Sequence, residues 1–280
     1  MSVLQSLRSA GGALRRNPIL AGVMLLVLLV QLPTQFAQLM APTGAIVVSL
    51  GSILVTVFVT PFVFAGLVGM AEEALDGDTG FGTLVEAGKK HYASMLGAYL
   101  LVFVGVVALA FVGVAVVGGL GVAVSPAAAG AGPLANAGVL VAATLAFLLV
   151  LFVPLFFVQF YGQAIVLDDE GFLGGFERSV SLVRRNLASV FGYTVLTFGV
   201  GLVFGVVASV PSTLLSVQVA QPTPLFPDLP LSLVVGFVVV ADVLMALFGA
   251  FFLLFSVAFY RTLDGTTGNE GAPPSQRTVA

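Results

Sequence analysis

The chain has 280 residues, of which 59% are hydrophobic and 8% charged, with a formal net charge of −3. Soluble domains run about 45–50% apolar and about 25% charged, so the polar side chains present cannot clothe a water-exposed surface of this length. That excludes an ordinary soluble enzyme and a disordered tail, and the lack of a basic surplus excludes a nucleic-acid binder; the mean hydropathy of +1.15 leaves an integral membrane protein.

Cysteine is absent and a single histidine is present. No disulfide framework, thiolate metal site, thiol nucleophile or multi-histidine site can be built, and no cofactor or metal is expected. Acids outnumber bases, and Arg outnumbers Lys eight to two. This is the balance expected of a chain from a halophilic, archaeal-type cell.

In chain order, residues 1–18 read as a short amphipathic helix using Leu4, Leu7 and Leu14 and closing on Arg15 and Arg16. Residues 19–40 then form the first of six apolar stretches; the others are 46–70, 94–118, 139–167, 187–210 and 231–260. A helix needs roughly 20 apolar residues to cross ~30 Å of hydrocarbon. Outer-membrane strands would alternate apolar and polar, whereas these stretches are apolar throughout, so helices are expected. The first stretch follows two arginines like a signal peptide, but no small-x-small cleavage site follows and it is read as retained.

A tight turn, Ala41-Pro42-Thr43-Gly44, joins the first two spans. Between the second and third lies a polar segment with Glu72, Glu73, Asp76 and Asp78, then an amphipathic helix placing Phe81, Leu84, Val85 and Tyr92 against Glu86, Lys89 and Lys90. The third amphipathic helix carries Phe172, Leu173, Phe176, Val180, Val183 and Leu187 on one stripe, with Arg178, Ser181 and Arg185 opposite. Asp168, Asp169 and Glu170 at its start and Arg184 and Arg185 at its end suit the helix dipole. All three helices are expected to lie in the membrane interface, apolar side down. The Gly- and Pro-rich segment 119–138 reads as a flexible loop, 211–230 with five prolines as a stiff extended one, and the tail 266–280 as disordered.

With the amino terminus inside, all ten Lys and Arg fall in inner segments: Arg8, Arg15, Arg16, Lys89, Lys90, Arg178, Arg184, Arg185, Arg261 and Arg277. The outer segments hold none, a one-sided positive-inside pattern that places both termini in the cytoplasm of a multi-pass protein of the cell membrane. The chain also repeats itself. RRNPILAG, KKHYASMLGAY and RRNLASVFGY precede the odd-numbered spans, beginning at residues 15, 89 and 184. At the ends of the even-numbered spans Pro61 matches Pro154, Gly69 matches Gly162, and each copy closes on Leu-Asp. The expected architecture is one all-α membrane domain, 1–265, of six transmembrane helices in three repeats (about 1–76, 77–169 and 170–265), each a cytoplasmic amphipathic helix followed by a transmembrane hairpin.

The segment IVLDDEGFLGGFERSVSLVRRNLASVFGY, 165–193, resembles the membrane domain found alone or beside glycerophosphoryl diester phosphodiesterase domains in bacteria and archaea. The matching positions are Val166, Glu170, Arg178, Ser179, Leu182, Val183, Arg185 and Asn186; Val180 stands where that family often has Trp. The resemblance implies the six-span plan. It carries no phosphodiesterase activity, because no such catalytic domain lies in these residues.

Candidate chemistry is sparse. Asp242 is the one acid inside an apolar run; intramembrane carboxylates often mark ion or proton paths, but this one also suits the outer boundary of a long last span. Gln31, Gln35 and Gln38 share a face of the first span, and Gln159 and Gln163 a face of the fourth; each set can line a polar pathway or hydrogen-bond neighbouring helices. The basic pairs Arg15/Arg16, Lys89/Lys90 and Arg184/Arg185, with Arg178, can hold lipid phosphates or merely set topology. His91 stands where the other copies have Asn17 and Asn186 and reads as a helix-end polar group. GTLVEAGK, 82–89, misses the P-loop spacing and its Ser/Thr; Gly201-x-x-x-Gly205 is a helix-packing pattern of low specificity; and the acids at 72–78 lack calcium-loop grammar.

The function expected is therefore that of a non-catalytic scaffold or accessory protein. Its partners would be the lipid bilayer, anionic headgroups or another membrane protein. A small-solute or lipid transporter lined by Asp242, Gln31, Gln35, Gln159 and Gln163 is the alternative.

Overall fold

The computed structural model describes residues 3–36, 42–123, 133–220 and 230–265. Among these, every regular element is helical, in the order α1 (Val3–Arg16), α2 (Ile19–Phe36), α3 (Pro42–Asp76), α4 (Phe81–Ala123), α5 (Pro133–Val158), α6 (Tyr161–Leu167), α7 (Phe172–Arg185), α8 (Leu187–Ala220) and α9 (Leu231–Leu263). Five helices are long and apolar enough to cross a membrane, six if α1 and α2 count as one span bent by 84°. Gln38 and the tail 266–280 lie outside the described residues, as do the side chains of Gln31 and Gln35.

Three expectations are corrected. First, the middle amphipathic segment is not a separate helix: α4 runs unbroken from Phe81 through His91 into the third span. The reason lies at the three matched positions. Pro18 after Asn17 has no N–H to donate and disfavours helix in the residue before it. Asn186 leaves helical geometry at φ −127° while its Nδ2 donates to the Leu182 carbonyl at 3.1 Å, the local competition with the backbone typical of Asn. His91 has no such short-range reach, and its chain stays helical, so it is an interior residue rather than a helix end.

Second, the fourth span is broken after Val158 and resumes at Tyr161. Ser179 of α7 enters the break: its hydroxyl accepts from the Phe160 N–H at 3.1 Å and donates to the Phe157 carbonyl at 2.9 Å. The Gln159 amide donates to the Phe156 carbonyl at 2.9 Å. Backbone groups released by the interrupted ladder thus keep partners, as burial requires.

Third, helix extends into both long outer segments. α4 reaches Ala123, α5 begins at Pro133 and α8 continues past Pro211 to Ala220. Proline forfeits one intrahelical hydrogen bond, which a long apolar helix in a membrane tolerates. The remainders, 124–132 and 221–229, lie outside the described residues.

The most extensive helix contact joins α3 to α4, across the expected boundary between the first two units rather than within a hairpin. Small residues allow it. A Cβ on Gly66 would overlap the Leu84 carbonyl oxygen, and one on Gly69 would stand 2.5 Å from the Ala87 Cβ. Across α6 the sequence-matched glycines meet each other's helices: Val166 approaches Gly69, and Phe64 covers Gly162. By contrast, Gly201 and Gly205 of α8 face open space within 4 Å, so their spacing makes no helix contact among the described residues.

The packed core sits at one end of the bundle. Tyr260, Phe160, Phe255, Phe259, Leu20, Met70 and Met95 are its largest wholly buried side chains. Toward the other end, Phe111, Val114, Leu145, Phe198 and Val206 are exposed. In water such a surface would aggregate; in hydrocarbon it costs nothing, because lipid tails are as apolar as the side chains.

Candidate functional site

Asp242 aside, the charged residues among those described gather at the packed end, where α1, α3, α6, α7 and α9 finish or turn and α4 begins. The three Leu-Asp signatures supply its carboxylates. Arg178 of α7 donates through Nε to Asp168 Oδ2 at 2.7 Å and through Nη2 to Asp264 Oδ1, joining the end of α6 to the end of α9. The Tyr260 hydroxyl donates to the same Asp168 oxygen at 2.7 Å. Arg261 forks onto both oxygens of Asp76, at 2.8 and 2.7 Å, with Glu72 at 3.8 Å, and so ties the end of α3 to α9. Such planar bidentate pairing is what guanidinium does and ammonium does not. The hydrogen bond to Asp168, reinforced by the Asp264 charge, holds the Arg178 proton more firmly than in a free guanidinium.

Beneath this network an aromatic cluster fixes its floor. Tyr193 stacks on Phe259 at 4.6 Å between centroids, and Phe160 packs on Tyr193 at 5.4 Å and on Tyr260 at 6.0 Å. These rings come from α8, α9 and the break after α5, so the broken span and the ion pairs brace one another.

Two more clamps complete the end. Asn17, buried at the α1–α2 bend, donates to Gly77 O at 2.9 Å and to Ala74 O at 3.4 Å, and accepts from the Thr79 N–H at 2.9 Å. Arg16 Nη2 reaches Ala74 O at 3.4 Å, a cation over the last carbonyls of α3. Lys90 of α4 donates to Asp169 at 2.9 Å, and the buried His91 Nδ1 lies 3.6 Å from the same carboxylate. Lys90 thereby holds the Asp169 carboxyl below the usual carboxylate range. Asp169 takes a left-handed φ of 57°, which Asp tolerates better than most residues. The acids at 72–78 belong to the same scheme: Glu73 accepts from Thr79 at 2.7 Å and from Thr83.

The sequence-designated residues divide accordingly. Arg178, placed by its periodicity opposite the apolar stripe, is half-buried and turned inward onto two carboxylates. The protein-facing edge of α7 is Gly175, Ser179, Leu182 and Val183, while Phe172 and Leu173 of the expected stripe stay exposed. Similarly α1 buries Ser6, Ala10 and Ala13 and leaves Leu4 exposed at 66%. Arg15, Arg16, Lys89, Lys90, Arg184 and Arg185 are exposed. The amides of the fourth span bond to neighbouring helices: Gln159 Oε1 accepts from Thr194 Oγ1 at 3.2 Å, and Gln163 Nε2 donates to Ser256 Oγ at 2.7 Å. Asp242 is buried in α9, apart from the charged end.

Sequence reasoning missed Asn17, Ser179 and the pairing of Arg178 and Arg261 with the Leu-Asp carboxylates. A signal existed: both arginines stand outside the basic pairs, while the three aspartates recur at equivalent places.

A bundle with up to six membrane-length apolar helices and all its described charges but Asp242 collected at one end is a multi-pass membrane protein. A family model described as a domain of unknown function (DUF7847) matches residues 1–263, and the chain belongs to that family. No curated protein and no solved structure matches it.

Proposed function

We propose that this is a non-catalytic scaffold of the cell membrane whose charged end faces the cytoplasm and contacts anionic headgroups or a partner protein there. One observation carries the reading: the charges at that end fall into two sets with different work. Asp76, Asp168, Asp264, Arg178 and Arg261 are committed to each other and brace helix ends. Arg15, Lys89, Arg184 and Arg185 are exposed at the same end and available to phosphates, at about 1 kcal/mol each near an anionic surface. The lopsided distribution of bases supports the cytoplasmic assignment and both termini inside. The three-unit reading and the likeness of 165–193 to the phosphodiesterase-associated membrane domain are part of this proposal, as is a halophilic archaeal source.

The test is lipid selectivity of the reconstituted chain, read from spin-labelled phosphatidylglycerol and phosphatidylcholine in its immobilised shell. A preference for phosphatidylglycerol that falls with salt and disappears when Arg15, Lys89, Arg184 and Arg185 are all changed to Gln is expected. Equal occupancy by the two lipids would refute the headgroup reading.

Transport remains the alternative, favoured by the burial of Asp242 within a span. Proton or sodium flux into proteoliposomes that Asp242→Asn abolishes would establish it against the scaffold.

A further inference from the structure

One edge of α7 joins two concave surfaces. The first is an apolar slot of about 360 Å³ between α4 and α5, walled by Val102, Gly105, Leu109, Leu151 and Leu155, with Glu177 the only charged residue in its lining. The second is an open basin along α7 lined by Phe176, Glu177, Val180, Ser181, Arg184 and Arg185. Phe176 and Glu177 belong to both, so slot and basin adjoin along α7. The Arg184 guanidinium carbon stands 6.0 Å from the centroid of the Phe157 ring of α5. A larger groove of about 700 Å³, running past Val30, Ser52 and Phe103, has no charged residue in its lining and offers nothing to a headgroup.

We infer that slot and basin together form a binding site for one anionic glycerophospholipid of the charged-end leaflet, with an acyl chain between α4 and α5 and the phosphate on Ser181, Arg184 and Arg185. The inference rests on the headgroup reading proposed above and narrows it to a single site. The chemistry fits in three respects. A chain gains little by leaving bulk lipid for an equally apolar slot, so selectivity must come from the headgroup, and two guanidiniums there face one carboxylate. Arg184 and Arg185 occupy the last turn of α7 and line the basin that shares Phe176 and Glu177 with the slot. Glu177 at the shared rim accepts hydrogen bonds from a headgroup that carries hydroxyls, as phosphatidylglycerol does.

The experiment uses the full chain in phosphatidylcholine vesicles containing a minor fraction of photoactivatable phosphatidylglycerol, with the diazirine either in the acyl tail or on the headgroup. Phosphatidylcholine and phosphatidylethanolamine carrying the same probes serve as comparisons. Tail adducts are expected on Val102, Val106, Leu151 and Leu155, and headgroup adducts on Ser181–Arg185, from phosphatidylglycerol above phosphatidylcholine. Changing Arg184 and Arg185 to Gln lowers both by roughly thirtyfold, from about 1 kcal/mol per cation. Glu177→Gln, which removes the repelling charge, raises them by roughly fivefold on the same scale. A Cβ at Gly105 meets nothing within 4 Å, so Gly105→Phe fills the slot without a backbone clash; tail adducts there then fall to the phosphatidylcholine level while headgroup adducts near Lys89 persist and report an intact fold.

Equal labelling by phosphatidylcholine overturns the site, and so does indifference to the Arg184/Arg185 change. Stronger labelling by phosphatidylethanolamine that falls in Glu177→Gln overturns the anionic assignment. If phosphatidylglycerol adducts persist around Arg15 and Lys89 but are absent from the slot, this inference fails alone; if they are absent everywhere, the headgroup reading fails with it.

Discussion

Replacing Arg178 by Met should open the charged end. The substitution keeps an apolar stem of similar length and removes the cation shared by Asp168 and Asp264. Breaking a fully buried pair by deleting one partner costs about 3–5 kcal/mol, and an exposed pair is worth about 0–1 kcal/mol. Here Arg178 is 31% exposed and the two aspartates 20% and 18%, so solvent screens part of the loss and about 2–3 kcal/mol is expected. For domains somewhat smaller than this one, 1 kcal/mol moves the midpoint by ~2–4 °C, which makes the drop roughly 4–12 °C. The assay is thermal unfolding of the detergent-solubilised chain, followed by loss of the monodisperse peak on size exclusion. Arg178→Lys should recover only part, because a point charge cannot fork onto two carboxylates as guanidinium does. Adding Asp168→Asn and Asp264→Asn to Arg178→Met should restore most of the stability, since no charge is then left stranded. A midpoint unchanged by Arg178→Met, or no restoration in the triple variant, would refute the account of the Arg178 network as a structural clamp.

Other outcomes follow from the same geometry. Gly66→Ala forces a methyl against the Leu84 carbonyl at the α3–α4 contact and should cost about 1–3 kcal/mol by overpacking, whereas Gly51→Ala in the same helix, with open space around it, should not lower the midpoint. Ser179→Ala strips the partner from the buried Phe160 N–H and the Phe157 carbonyl; a loss of about 1–3 kcal/mol is expected, and because the chain has no cysteine, spin labels placed either side of the break can report whether α5 and α6 straighten. Asp169 gives an acid-side signature. Its carboxyl is held low in the folded chain by Lys90, so its contribution is complete above its unfolded pKa of about 4 and fades as pH falls through the lower folded value; in Lys90→Gln the acid limb of the stability–pH curve should lose that component, and identical acid limbs would contradict it.

How much of this was legible in the chain depends on the range of the interaction concerned. Hydropathy and length placed the spans because lipid sorts residues one by one. The likeness of RRN at 15–17 to RRN at 184–186 marked two helix breaks, and His91 in place of Asn marked the one that does not occur, though its meaning required knowing that Asn breaks helix by bonding its own backbone. Periodicity finds the apolar arc of α7, but in a membrane such an arc is divided between protein and lipid, and hydropathy cannot distinguish them. Gly175 and Ser179, small rather than hydrophobic, mark the side that touches protein.

The amino-acid sequence alone determined that the chain is helical, that it lives in a membrane, and where its charges cluster along its length, because each of these is a sum of local transfer and propensity terms. Tertiary structure decided which carboxylate meets which arginine, that α3 packs on α4, and that a serine from α7 occupies the break in the fourth span. Those are contacts between residues 10 to 185 positions apart, and their partners are selected by shape and distance, quantities that hydropathy and periodicity along the chain do not contain.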